Sequence, residues 1–133
     1  MWRQDREVTR RTAERRRRED EAPRLAATIP TLQGLRLDVL EASKSISRPE
    51  FSHARHVVVA SAPALFVMPC HDTQCKDGGH DLTQEILAAL RRRSARFEGE
   101  DVCRGTVGTA DCSRIVRYVA VATYQGQPAA EHA

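Results

Sequence analysis

From Leu35 the apolar positions alternate with polar ones, Leu35-Arg36-Leu37-Asp38-Val39-Leu40-Glu41, which predicts a half-buried β-strand. A loop over residues 43–53 follows. Two further apolar runs, His56-Val57-Val58-Val59-Ala60 and Ala64-Leu65-Phe66-Val67-Met68, read as strands. Pro63 separates them and Pro69 ends the second. The period then changes. Leu82, Ile86 and Leu90 recur at i, i+4 and i+8 with Leu87 beside them, the stripe of an amphipathic helix over about residues 82–94. Asp81 and Gln84 supply an N-cap pair, and Arg91-Arg92-Arg93 stand where the helix dipole favours cations. Residues 97–102 form a short extended piece, 115–124 (IVRYVAVATY) the strongest strand of the chain, and 125–133 a tail.

Residues 2–21 differ from all of this. Trp2, Val8 and Ala13 share no face, while Glu7 with Arg11 and Glu14 with Arg18 make i,i+4 pairs. The segment reads as a frayed, solvated helix or as disordered, with a boundary at Pro23. The division is therefore an Arg-rich tail or solvated helix over 1–24 and one small domain over 25–133, with its core at about 56–124. The fold class is α/β (α+β), a small sheet with one main helix packed on it. Charge follows the same division. The formal net charge is +3, and residues 1–24, with nine Arg against six Asp and Glu, carry the whole excess.

Four cysteines, all in the second half, are the chemistry that stands out. Cys70 and Cys75 have four residues between them, Cys103 and Cys112 have eight, and a helix-sized gap separates the pairs. Each pair lies in a loop beside the end of an element, so four soft ligands can converge as a metal site requires. Asp72, Gln74, Lys76 and Asp77 make the first loop polar. Zinc in a tetrahedron of four thiolates, an iron–sulfur cluster, disulfide or thiol redox chemistry, and plain buried cysteines all remain open. His80 or His71 could replace one cysteine to give a set of three thiolates and one imidazole, or could be solvated loop residues.

The segments LFVMPCHDTQCKDGG, DLTQEILAAL and DVCRGTVGTADC resemble the thioredoxin-like [2Fe-2S] ferredoxins, which include the small peripheral subunit of respiratory complex I. The Cys-x4-Cys spacing, Gly78, the following helix and the Cys103-Arg104-Gly105 turn carry the likeness, over about residues 56–124. The resemblance implies a thioredoxin-like fold, cluster ligation by Cys70, Cys75, Cys103 and Cys112, and electron transfer. The eight residues before Cys112 depart from the family's three, and Ser113-Arg114-Ile115 replaces its Gly-Pro-type segment.

Other classes leave weaker marks. No nucleophile elbow and no phosphate loop is present, so an enzyme active site is not visible. The run Arg15, Arg16, Arg17 and Arg18 could contact nucleic-acid phosphates, although Glu14, Glu19, Asp20 and Glu21 around it suit a solvated helix equally. Tyr118 and Tyr124 share one side of a strand, as core residues or as a stacking platform. No apolar run is long enough to cross a membrane, and the N-terminal segment has no apolar signal region. The expected setting is the reducing cytoplasm, and the expected role a metal-binding module or electron carrier with a protein partner.

Overall fold

The computed structural model describes residues 2–42, 51–72 and 74–126. The elements run α1 (Trp2–Glu21), α2 (Leu25–Thr28), β1 (Leu32–Ala42), β2 (Phe51–Val57), β3 (Val67–Met68), β4 (Cys75–Lys76), β5 (His80–Asp81), α3 (Thr83–Arg91), β6 (Arg96–Val102), β7 (Thr106–Val107), β8 (Ala110–Asp111) and β9 (Ile115–Tyr124). The class is α+β. The main sheet has the order β2-β1-β9-β6, and all of its pairings are antiparallel.

The alternation in β1 and β9 decides which face is inside. Leu35, Leu37 and Val39 stand opposite Ala122, Ala120 and Tyr118, and all six are buried. Against this face α3 lays Ile86, Leu87 and Leu90, joined by Leu25, Phe66 and Leu82. Fully burying side chains of this size contributes about 1.5–3 kcal/mol each. Tyr118 meets Phe97 edge to face at 6.4 Å, and the Tyr124 hydroxyl donates to the Ser94 carbonyl at 2.8 Å. Both tyrosines are therefore core residues, and neither offers a stacking platform.

The predicted strand at 56–60 shifts toward the N-terminus. β2 ends where Val57 pairs with Leu35; β1 then bulges between Leu32 and Gly34 and continues only against β9. With no partner left, Val58 opens a turn whose carbonyl accepts from Ser61 and Ala62. Of the expected loop at 43–53, residues 51–53 belong to β2, and 43–50 lie outside the described residues. The run Ala64–Met68 is a strand only at Val67–Met68, paired with β5. Its earlier donors are taken elsewhere: Ala64 N–H by the Pro23 carbonyl, Phe66 N–H by Thr83 Oγ1. The helix ends before the expected residue 94, because Arg92 caps it and Arg93 then turns left-handed (φ 58°). The tail from 127 onward is outside the described residues.

Of the two alternatives for the N-terminal segment, the structure takes the helix. α1 buries none of its described side chains. Polar contacts tie it to the body: Arg11 reaches the Cys75 carbonyl at 2.5 Å and Arg18 reaches Asp81 at 3.4 Å. Both land on the segment that leads away from Cys75. Beyond Pro23 the chain enters the core at once, with Leu25 fully buried.

Candidate metal centre

Each cysteine is delivered by its own local device. Cys70 follows β3 and Pro69. Asp72 then folds the loop: its Oδ1 accepts from Gln74 N–H and its carbonyl from Cys75 N–H, both at 3.0 Å. This explains why so polar a residue is buried. Cys75 lies in β4, which pairs with β7, and left-handed turns at Asp77 (φ 57°) and Gly79 (φ 128°) carry the chain away. Cys103 follows β6, and its N–H donates to the Arg114 carbonyl at 2.7 Å.

The long spacing before Cys112 is a hairpin. β7 and β8 turn back at Gly108 (φ 62°), and Cys112 N–H closes the excursion on the Gly105 carbonyl at 2.9 Å. Cys112 is displaced in sequence but not in space.

The result is a cluster in which the four sulfurs all lie within 4.8 Å of one another. The short approaches run between the loops, Cys70 to Cys112 at 3.6 Å and Cys75 to Cys103 at 3.7 Å, and all four thiols are free. Cys75, Cys103 and Cys112 are buried and Cys70 is half-buried. Among the described residues, no other group of three or more His, Cys, Asp and Glu has metal-binding proximity.

Two glycines make room for the sulfurs. A Cβ on Gly78 would collide with the sulfurs of Cys75 and Cys103; one on Gly105 would collide with Cys75 Sγ and the Lys76 carbonyl. The backbone comes this close so that its N–H groups can face sulfur, Gly79 N–H to Cys103 Sγ at 3.3 Å and Gly105 N–H at 3.5 Å. Burial opposes ionisation of Cys103, but these donors and the neighbouring thiols hold its pKa below the usual thiol range. Burial and the crowd of sulfurs push Cys75 up to about 12 and raise Cys70 as well. Without a cation, four thiolates cannot form here together; a bound divalent ion removes that obstacle. A soft donor set, a backbone cradle without Cβ atoms and N–H groups aimed at sulfur all fit a metal.

The two histidines that could substitute as ligands face carboxylates instead. His80 is buried, with Nδ1 2.9 Å from Asp101 Oδ2 and Nε2 3.6 Å from Glu41 Oε1. His71 Nδ1 is 3.3 Å from Glu41 Oε2. Burial works against the charged imidazole of His80, yet Glu41 and Asp101 outweigh it and raise its pKa. Glu41 Oε2 also accepts from Arg114 Nε at 2.8 Å and His71 N–H at 3.1 Å. Burial would raise the Glu41 pKa, but His80, Arg114 and His71 bring it down to about 2.

The sequence reading overlooked this Arg114–Glu41–His80–Asp101 chain. The signal was present in the alternation, since Glu41 continues the inward phase of Leu35, Leu37 and Val39. Arg114 likewise precedes Val116, Tyr118 and Ala120 on the inward phase of β9.

In the arginine run, Arg15 lies 3.9 Å from Glu19, Arg17 bridges Glu14 and Glu21, and Arg18 reaches Asp81. No helix is long and apolar enough to cross a membrane. Compared with protein families, curated proteins and solved structures, the chain matches none of them.

Proposed function

We propose that this protein is a small zinc module in which Cys70, Cys75, Cys103 and Cys112 hold one ion, and that it acts by presenting its ordered surface to a protein partner. The 4.8 Å limit on the sulfur separations carries this reading. A zinc–sulfur bond of about 2.3 Å gives a tetrahedron with an edge of about 3.8 Å, close to the 3.6 and 3.7 Å approaches here. Two edge-sharing tetrahedra of the same bond length would hold thiolates on different irons about 5.3 Å apart or more. The spacing therefore favours a mononuclear centre over a [2Fe-2S] cluster. On this reading the likeness to the thioredoxin-like ferredoxins is one of loop and helix order, and the cofactor differs.

Four thiolates leave zinc no open position, so its role is structural. The ion would link the loop after β3 to the hairpin between β6 and β9. In a small module such a link is worth an apparent ~10–16 kcal/mol. Cysteines free of disulfides suit a reducing compartment, and the cytoplasm is the proposed location. A single iron would occupy the same tetrahedron and make the protein an electron carrier.

Cobalt(II) tests the coordination. Added to chelated protein, it should give the intense visible absorption of a tetrahedral tetrathiolate, saturate at one equivalent and be displaced by zinc. Cys112→Ser should weaken binding and alter the spectrum. Colour that forms only with iron and sulfide, at two irons per chain, would overturn the reading.

A further inference from the structure

The main sheet has a second face that neither α3 nor the metal loops occupy. Its side chains follow from the register. Arg36, Val121 and Arg96 lie side by side across β1, β9 and β6, and one step along lie Asp38, Val119 and Glu98. The two rows have the same shape with the signs reversed: positive–valine–positive, then negative–valine–negative. Val121 remains 41% exposed, and Val102 at the end of the same face 45%. An open groove of about 1000 Å³ runs along Asp38, Leu40, Ala54, Glu98, Glu100 and Val119.

We propose that this face is an interface on which a second copy of the chain docks about a two-fold axis. The axis lies between the sheets, crosses the strands, and passes between the two rows. Such an axis keeps each strand facing its own counterpart and reverses the direction along it. Arg36 then faces Asp38 of the other copy, Arg96 faces Glu98, and Val121 faces Val119. Every charge in the two rows meets its opposite, and the apolar column of β9 closes on itself, as an isologous contact requires.

Sheets packed face to face stand about 10 Å apart, a gap that arginine and carboxylate side chains span from the two sides. The remaining charges do not conflict. Arg117 stays with Glu100 at 3.2 Å in its own copy, and their row falls opposite Gly34 and Thr123. Within one copy Arg36 is 3.2 Å from Asp38, an exposed pair that exchanges partners on docking.

Four strands at about 4.8 Å spacing make a face roughly 20 Å wide, at the small end of specific interfaces. The dimer is accordingly reversible and concentration-dependent.

Sedimentation equilibrium on the full chain across a concentration series, with far-UV circular dichroism confirming each fold, tests the proposal. Wild type should move from monomer toward dimer. Val121→Glu should abolish the dimer. Arg36→Asp sets like charges against each other and should raise the dissociation constant about tenfold or more. Arg36→Asp combined with Asp38→Arg restores opposite charges across the axis and should return the constant to within a few fold of wild type. A protein that stays monomeric at its highest soluble concentration would overturn the proposal. So would a dimer indifferent to Val121→Glu, or single and swapped charge variants that behave alike.

Discussion

Arg114 Nε donates to Glu41 Oε2 across 2.8 Å, with side chains only 2% and 3% exposed. The same Arg114 accepts the Cys103 N–H on its carbonyl, so a buried ion pair on the sheet is directly tied to the candidate metal loop. Removing one partner of such a pair leaves an uncompensated charge and costs about 3–5 kcal/mol. Arg114→Ala should lower the free energy of unfolding of metal-loaded protein by that amount in chemical denaturation. A loss below about 1 kcal/mol, typical of a surface pair, would contradict it.

The pH dependence follows in sign. The Glu41 pKa is lowered from an ordinary 4.5 to about 2 in the fold. Its contribution is complete above the unfolded value and is lost as pH falls toward the folded one. In acid titrations compared side by side, wild type should lose more stability than Glu41→Gln between about pH 5 and 3. Release of a bound metal would be common to both and would cancel in the difference; parallel curves would remove Glu41 from the account.

Glu41 also shows what was legible in the sequence. Strict alternation from Leu35 identified β1 and its inward face, and the run 115–124 gave β9 to the residue. The helix, both cysteine loops and the polar first loop were equally plain. What escaped were features set by long-range pairing. β2 begins at Phe51 because β1 offers it partners there, not because of its own composition. The β7–β8 hairpin has two-residue strands, too short for any periodicity, yet it is what returns Cys112 to the cluster. In the sequence His80 stands among polar residues, which alone allow a ligand or a surface residue. Its burial between Glu41 and Asp101 depends on two distant strands meeting.

The glycine cradle gives a sharper test of the centre than the cysteines, since it leaves every ligand in place. Gly78→Ala or Gly105→Ala would place a methyl group on the sulfurs and should lower metal affinity by at least about tenfold in chelator competition. Gly108→Ala meets no atom within 4 Å and carries only the strain of its φ of 62°, about 1 kcal/mol of stability. It should keep wild-type metal affinity. Equal losses at Gly78 and Gly108 would argue against the cradle.

α1 buries no described side chain, and its Arg11 and Arg18 contacts both fall on residues 75–81. Deleting residues 1–22 should therefore leave metal stoichiometry and the fold of the domain intact. Chelating the full-length protein should loosen the partners of α1 and speed tryptic cleavage within residues 10–18. A truncated protein that cannot hold metal, or cleavage unchanged by chelation, would show that the helix and the loop are related differently.

The central claim is that four converging thiolates hold one zinc ion. Elemental analysis with thiol counting, on protein purified without chelator, tests it most directly. The account predicts one zinc per chain, no visible colour, and four thiols that react only after chelation or unfolding. Two irons with two sulfides per chain would contradict it, as would metal-free native protein with four reactive thiols.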